Sequence, residues 1–470
     1  MKVLLISPTD FNNYRKVQPG RIPLNLLYIA SYLRQHQANI ELKVIDCIAE
    51  KLSLEKTNHI IKKYSPDLVG ITLVTEFYNS AINLTKNIKQ IIPNCKIVFG
   101  GLHASALPKE IIKNDFIDFV LAGEAEIAFH NLCGYLNGKL KITSVPGLYY
   151  KKKGKIKSNK IKFIKDLDSL PFPARELVNQ KLYFTKYSKK TTSIMVSRGC
   201  PYSCIYCAHK LAFGQKIRRR SIKNVIEEIK HCIAKYDIHS FEFIDSLFIS
   251  SNKYTKKLCE QIIKDNLKIT WRCQTRIDSF IPNKNNMKKD IIQLIKLMKR
   301  SGCQRIYFGI DSGNEEILRI NKKSQKLNEI KEVIDLINKQ GIKTQATFVL
   351  GLLGENKKTI QDTFDFANTL NLDDIYYTRA YAYPGTEFYD KLADAKKIKK
   401  KYWIKGQDII YYDNFTSKDL DKIIKSRLLK SKLSPVYLAR QLILLIKNPS
   451  KDNIRSFLYR TKKVIKKIIS

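Results

Sequence analysis

Three cysteines lie close together in the run Ser197-Arg198-Gly199-Cys200-Pro201-Tyr202-Ser203-Cys204-Ile205-Tyr206-Cys207. The spacing C-x3-C-x2-C can place three thiolates around one face of an iron–sulfur cube and leave the fourth iron open for chemistry. Zinc is the alternative, but zinc sites usually close with four ligands and pair two short C-x2-C knuckles. The nearest fourth ligand here is His209, only two residues on. A third interpretation is three buried structural thiols.

The run resembles the cluster loop of the radical S-adenosylmethionine (radical SAM) superfamily, including the aromatic Tyr206 directly before the last cysteine. The resemblance implies that Cys200, Cys204 and Cys207 hold a 4Fe–4S cluster and are catalytic. It also implies that the open iron chelates the amine and carboxylate of S-adenosylmethionine (SAM). An electron from the cluster then cleaves the sulfonium and gives a 5′-deoxyadenosyl radical.

A strand-then-helix rhythm from Thr191 to about Leu392 supplies the elements that must position this loop. The predicted strands are Ser193–Ser197, Ser240–Ile244, Ile269–Cys273, Arg305–Ile310, Thr344–Leu350 and Ile375–Ala380. Six such units fit the partial (β/α)6 barrel of the radical SAM family. A complete barrel of this type has its site at the C-terminal ends of the strands.

Polar residues and glycines follow these predicted strands, in an order that matches the family. The resemblance places Asp245 and Ser246 at the methionine amine of SAM, Arg276 at its carboxylate, Asp311 and Ser312 at the ribose, Gly351 at the adenine, and Tyr206 beside the cofactor. The residue types suit these roles, because a carboxylate accepts from hydroxyls and a guanidinium pairs with a carboxylate. Alternatively, such residues merely cap strands and begin helices.

The first 140 residues also alternate between strands and helices, which predicts a doubly wound α/β domain with a parallel sheet. The predicted elements are strands Lys2–Ile6, Glu41–Ile45, Leu68–Leu73, Lys96–Phe99 and Phe119–Leu121, and helices near Leu24–Arg34, Leu54–Tyr64 and Tyr78–Ile92. Such sheets bind ligands beyond the carboxyl ends of their strands. No G-x-G-x-x-G follows a strand, so a nicotinamide dinucleotide is not indicated.

This layout resembles the cobalamin-binding domain that precedes many radical SAM domains, through Pro23–Ala30, the Gly-Gly-x-His pattern at Gly100–His103 and the Gly-Glu-x-Glu pattern at Gly123–Glu126. Gly100 and Gly101 would let the backbone approach a bulky ligand closely. His103 is a third candidate contact, although a lone histidine more often bonds a neighbour. The Asp-x-His-x-x-Gly signature is absent. The resemblance therefore allows a corrinoid held without a histidine ligand, and equally a domain that has lost it.

The predicted domains are 1–140 (cobalamin-binding-like), 141–190 (connector with a hairpin), 191–395 (barrel) and 396–470 (basic helical region). Helices are predicted at Phe415–Leu433, Pro435–Ile446 and Asn453–Ile469. The last has an apolar stripe opposite lysines and arginines, which predicts either peripheral binding to the inner face of an anionic membrane or docking on the barrel.

Charge and cysteine use limit the other possibilities. The 470 residues carry a net charge of +42, which would attract nucleic acid or anionic lipid, but lysine is abundant throughout. Ten cysteines in a chain of this length do not form a disulfide scaffold. The apolar run Val3–Ile6 is too short for a signal peptide or a membrane span. A cytoplasmic protein is expected.

The sequence thus predicts a cobalamin-dependent radical SAM enzyme that transfers a methyl group to a small molecule or lipid, with a flavodoxin- or ferredoxin-type electron donor. Cyclisation and rearrangement also occur on this architecture. One alternative is a tRNA methylthiotransferase, which would need extra cluster cysteines, whereas Cys47, Cys95 and Cys133 look like core residues. The other is a non-catalytic corrinoid or SAM sensor.

Overall fold

A computed structural model describes residues 1–15, 21–37, 39–184, 190–281, 287–399, 401–405, 409, 411 and 415–433. The strands are β1 Lys2–Ser7, β2 Glu41–Asp46, β3 Leu68–Thr72, β4 Lys96–Gly100, β5 Phe119–Leu121, β6 Leu148–Lys152, β7 Lys155–Ser158, β8 Thr191–Ile194, β9 Ser197–Arg198, β10 Arg218–Arg219, β11 Ser240–Phe243, β12 Thr270–Thr275, β13 Cys303–Asp311, β14 Lys343–Leu350 and β15 Asp374–Arg379. The helices are α1 Leu24–His36, α2 Leu54–Tyr64, α3 Tyr78–Ile91, α4 Leu102–Ala106, α5 Pro108–Ile111, α6 Glu126–Leu136, α7 His209–Phe213, α8 Ile222–Tyr236, α9 Asn252–Lys264, α10 Met287–Arg300, α11 Glu315–Ile320, α12 Leu327–Lys339, α13 Lys357–Thr369, α14 Glu387–Asp394, α15 Tyr402–Lys405 and α16 Ser417–Leu433.

The N-terminal sheet has the strand order β2-β1-β3-β4-β5-β6-β7. The first five strands are parallel, and their continuous Val, Ile and Leu runs are buried because helices cover both faces. The predicted elements of this domain are confirmed to within two residues. The predicted hairpin forms too, and it pairs antiparallel with β5, so the sheet continues to Ser158. The domain boundaries themselves stay a prediction.

The barrel sheet has the order β8-β11-β12-β13-β14-β15, all parallel, as predicted. The first strand of this sheet was predicted at Ser193–Ser197, but β8 begins two residues earlier, at Thr191, and ends three residues earlier, at Ile194. The strand ends there because the next backbone N–H groups, those of Val196 and Ser197, donate to the Asp245 carboxylate and not to the backbone of a neighbouring strand. Ser197 and Arg198 then form β9, which pairs with β10.

The chain after β15 returns to the N-terminal domain. Asn79 on α3 donates to the Ile404 carbonyl on α15 at 3.0 Å, and the Tyr383 hydroxyl donates to Glu76 at 3.0 Å. The N-terminal domain therefore contacts the barrel near its last strand as well as near its first. Within the part of the chain described, no helix is long and apolar enough to cross a membrane. The helices predicted at Pro435–Ile446 and Asn453–Ile469 lie outside the described residues.

Candidate functional site

The cysteine loop runs from β9 to α7 at the C-terminal end of the barrel. Cys204 is buried, Cys200 is half-buried and Cys207 is exposed. Gly199 has φ +93°, and a Cβ there would lie 2.2 Å from the Lys216 carbonyl oxygen, so the turn into the loop requires glycine. Burial raises the pKa of the Cys200 thiol and Cys204 adds to this, while Arg276 and Lys323 act in the opposite direction.

Arg276, which follows β12, is a charged residue in contact with these thiols. Its Nη1 lies 3.4 Å from the Cys204 sulfur, and its guanidinium carbon lies 3.7 Å from the Tyr202 ring centre. Asp278 accepts from the same guanidinium at 2.7 and 2.8 Å. The thiolate is the form of cysteine that binds metal, and a cation beside it offsets its negative charge. The guanidinium predicted at the SAM carboxylate is thus placed at the cysteine loop.

Tyr206 and Asp311 are brought together with Lys323, behind the loop. The Tyr206 hydroxyl donates to Asp311, and the Lys323 ammonium lies 2.6 Å from the same carboxylate. Asp311 is 6% exposed and has φ +73°, a conformation that an L-residue adopts at a cost. Burial, followed by the Asp311 charge, raises the pKa of Tyr206 well above its usual value, so Tyr206 is a proton donor. The carboxylate predicted at the ribose therefore already has two protein partners.

The remaining barrel candidates also have protein partners. The Asp245 carboxylate is occupied by Val196 and Ser197, whose hydroxyl lies at 2.7 Å. The Ser246 hydroxyl lies 2.9 Å from the His209 ring, and the Ser312 hydroxyl lies 3.1 Å from that of Thr363. These contacts hold the loops after β8, β11 and β13 in place.

Gly351, at the end of β14, has φ +86° and lies directly against the Tyr411 ring. Its N–H and that of Leu352 donate to Glu355, whose other carboxylate oxygen has no hydrogen-bond partner among the described residues. Burial raises the pKa of Glu355 to about 8. Sequence reasoning missed this buried carboxyl, although it lies four residues after a predicted site glycine. It also missed Lys323, which cannot be distinguished by type among 85 lysines and arginines.

A cavity of about 520 Å³ lies between the N-terminal sheet and the barrel. Its N-terminal wall comes from the carboxyl ends of β1 to β5, and its barrel wall comes from the cysteine-loop side. Residues from the first wall include Ser7, Asp46, Thr72, Gly100, Gly101 and Gly123, and residues from the second include Met195, Arg198, Ala212, Phe213 and Ile244. The predicted ligand edge of the sheet therefore faces the barrel.

Gly100 and Gly101 line this cavity, but His103 does not. His103 is 2% exposed, its Nδ1 lies 2.9 Å from the Thr75 hydroxyl, and its ring packs edge-on against Trp403 at 5.1 Å. Burial lowers the pKa of His103 to about 4, so the imidazole is neutral near pH 7. The structure separates this candidate from the two glycines beside it.

A buried ion cluster joins the cavity to the cysteine loop. Arg198, two residues before Cys200, donates to Glu124 at 3.2 Å and to Glu126 at 2.5 Å. Arg218 binds both oxygens of Glu124 at 2.7 and 2.9 Å. The Gly-Glu-x-Glu pattern and Arg198 both stood out in the sequence, but their pairing across more than 70 residues was not predicted.

Comparison with known proteins assigns a family to each of the two domains. Residues 194–367 match the Radical SAM superfamily, and residues 16–133 match the B12 binding domain. The chain is 30% identical over 451 residues to an uncharacterised methyltransferase of Pyrococcus horikoshii, covering 94% of this chain and 95% of that protein. It is 25% identical to the cytidylyl-2-hydroxyethylphosphonate methyltransferase of Streptomyces wedmorensis, covering 82% of this chain and 80% of that one.

Two solved structures share the fold. The radical SAM methyltransferase TsrM of Kitasatospora setae, with tryptophan and a SAM analogue bound, has a TM-score of 0.69 at 18% identity and covers 85% of this chain and 77% of its own. The cobalamin-dependent radical SAM enzyme OxsB, with aqua-cobalamin and SAM bound, has a TM-score of 0.68 at 18% identity and covers 92% of this chain and 62% of its own. The chain belongs to the radical SAM superfamily, in the branch with a B12-binding domain.

The chain is therefore an enzyme whose cofactors are a 4Fe–4S cluster, SAM and cobalamin. The residues present fit these groups. Three thiols in one loop, with the Arg276 guanidinium against one of them, are the donor type an iron–sulfur cluster requires. The predicted core positions of Cys47, Cys95 and Cys133 are confirmed, because each is at most 1% exposed. The cavity at the carboxyl ends of the N-terminal strands, with two glycines in its wall, suits a bulky corrinoid.

Proposed function

We propose that the chain is a cobalamin-dependent radical SAM methyltransferase that places a methyl group on a carbon of a small molecule or lipid. One observation carries this proposal: the cavity at the N-terminal sheet and the cysteine loop share a wall, through Arg198. Methyl transfer requires the corrinoid, SAM and the substrate carbon to be within reach of one another. When bound, the cluster supplies the electron for SAM cleavage and the corrinoid carries the methyl group.

The residues have proposed roles that follow from their contacts. Cys200, Cys204 and Cys207 ligate the cluster as thiolates, and Arg276 stabilises the negative charge of that loop. Asp245 holds the backbone before the loop, since its carboxylate accepts from Val196 and Ser197.

SAM would lie beside the cysteine loop, with Ser246, Asp311, Ser312 and Gly351 from the neighbouring strand ends around it. Because Asp311 is already bound by Tyr206 and Lys323, its contact to the ribose requires one of these partners to move or to be shared. Gly100 and Gly101 would lie against the corrinoid. His103, which is packed against Trp403, would act by supporting their loop.

The electron donor is proposed to be a flavodoxin- or ferredoxin-type protein. The cluster needs an electron from outside the chain to cleave SAM, and the resemblance to the radical SAM superfamily supports a donor of this type. Peripheral membrane binding through residues 453–470 stays a separate proposal. Flotation of the full chain and a 1–452 truncation with anionic liposomes tests it, and equal flotation of the two would contradict it.

The test of the main proposal begins with protein purified without oxygen from cells supplied with cobalamin. Iron, sulfide and corrinoid are quantified, and the protein is incubated with dithionite and SAM carrying a deuterated methyl group. We expect about four irons and one corrinoid per chain, 5′-deoxyadenosine, and deuterium in a product. A corrinoid-free protein that makes deoxyadenosine would contradict methyl transfer and favour another radical reaction. A fully loaded protein that makes none would favour the sensor interpretation.

A further inference from the structure

The inner face of the barrel sheet is polar. Along β12, β13 and β14, alternate residues are buried in the core against the helices, and the residues between them are partly exposed. Because strand side chains alternate, the partly exposed set faces the barrel interior. The polar members of this set include Arg272, Gln274, Arg305, Tyr307, Gln345 and Thr347.

The strand register aligns these groups into rows. Gln274 lies beside Tyr307, Tyr307 beside Gln345, and Gln345 beside Asp374, so one row of hydrogen-bonding groups crosses four strands. Arg305 donates to Gln345 at 3.0 Å and pairs with Asp374. The side chains on this face therefore already contact one another inside the barrel.

A second ion cluster lies where this interior meets the cavity. Arg272 donates to Glu242 on β11 at 3.0 Å, and Arg21 from the N-terminal domain pairs with the other oxygen of that carboxylate. Arg21 also lines the cavity, together with Ile244 at the end of β11. The space proposed for the corrinoid and the barrel interior are thus adjacent, with Arg21 common to both.

Charge is unbalanced around Glu242, where the two guanidinium groups of Arg21 and Arg272 meet one carboxylate. The Nε of Arg272 is buried and has no acceptor among the residues that the structure describes, while its side chain is 39% exposed overall. A guanidinium pairs well with a carboxylate or phosphoryl group, so such a group on a bound molecule would balance the positive charge that Glu242 leaves on Arg21 and the partly exposed Arg272.

An apolar occupant would fit this surface poorly. Each polar group that it covered without a hydrogen bond would lose its contact with water and gain nothing in return. We infer that the barrel interior receives a hydrophilic substrate with an anionic group, bound at Arg272, and that the substrate is not a lipid. This inference rests on the proposed function and narrows it.

The test uses SAM with a deuterated methyl group and a deproteinised extract of the source organism. Enzyme that has been shown to form deoxyadenosine is incubated with the extract, and the mixture is then partitioned between water and chloroform. Cys204→Ala protein gives the background. We expect deuterium above background in an aqueous product that an anion exchanger retains. Label in the chloroform phase would overturn the inference and leave methyl transfer standing, and so would an aqueous product that the exchanger does not retain. Label in neither phase would contradict methyl transfer itself.

Two variants test the residue assignment. Arg272→Gln is expected to lower deuterium transfer at least tenfold and to raise the amount of extract needed for half-maximal labelling. Arg319→Gln, which removes an equal charge from an exposed pair with Glu316, is the matched control and should label like the wild type. Iron and corrinoid contents of both are measured first. An Arg272→Gln protein with full cofactor content and wild-type labelling would overturn the assignment.

Discussion

The cysteine loop and the loop from Gly100 to His103 were both predicted to bind cofactors, but only the first keeps all of its predicted residues in one place. All three cysteines lie in one loop beside charged groups from neighbouring strand ends. Of the second loop, two glycines line the cavity and the histidine is packed away from it. A motif contained in one loop keeps its members together, whereas the direction of a residue on the following helix depends on what packs against that helix.

The packing partner of His103 explains the difference. Trp403 lies 300 residues later in the chain and reaches α4 only because the segment after β15 returns to the N-terminal domain. No local pattern around Gly100 indicates that contact. Variants in the two loops test whether they differ in function as they do in geometry.

The largest effect is expected from Cys204→Ala. Removing one of three thiolates leaves too few ligands for the cluster, so iron content and SAM cleavage should both be lost. Anaerobic absorption spectra and deoxyadenosine assays measure this. Cys133→Ala, which removes a buried thiol of the N-terminal core, is the control and should retain both. A Cys204→Ala protein with normal turnover would contradict the ligand assignment.

The next largest effect is expected where the two regions meet. Arg198→Met leaves the buried Glu126 without its cation, and breaking a buried ion pair by removing one partner costs about 3–5 kcal/mol. The unfolding midpoint in urea should fall, and corrinoid affinity should fall with it because Arg198 lines the cavity. Arg34→Met breaks an exposed pair with Glu176 and should cost about 0–1 kcal/mol. Equal costs would mean that the ion cluster does not hold this interface.

Most of the fold could be predicted from the sequence, because periodicity and strand-end residues are local signals. The parallel sheets, the hairpin and the position of the cysteine loop followed from them. The sequence could not show that the Asp245 carboxylate accepts the backbone hydrogen bonds that follow β8, or that the Lys323 ammonium pairs with Asp311. Each of these contacts depends on which of many similar polar side chains the tertiary packing brings together, and residue type alone does not distinguish them.

A smaller effect is expected from Gly101→Ala. Gly101 has φ +97°, and a Cβ there would lie 2.9 Å from the Leu73 carbonyl oxygen, so the loop must move. We expect corrinoid affinity to fall roughly tenfold, or about 1.4 kcal/mol. Gly138→Ala is the matched control, since Gly138 also has positive φ (+73°) but has no atom within 4 Å of the added Cβ. If both variants bind corrinoid like the wild type, the Gly100–Gly101 backbone does not approach it closely.

The smallest effect on cofactor binding is expected from His103→Gln, which can keep a hydrogen bond to Thr75. Corrinoid affinity should stay within about twofold of the wild type, a difference of roughly 0.4 kcal/mol.

The stability of the His103→Gln variant should instead differ from that of the wild type in its dependence on pH. Because burial lowers the pKa of folded His103 to about 4, its contribution is complete above the unfolded pKa of 6.5 and is lost as the pH falls toward 4. Between pH 7 and 4.5 the wild type should therefore lose about 2–3 kcal/mol more of its free energy of unfolding than the variant. His59→Gln, at an exposed position, should follow the wild type. A tenfold loss of corrinoid affinity in His103→Gln would show that this histidine reaches the cofactor, and the distinction between the two loops would then fail.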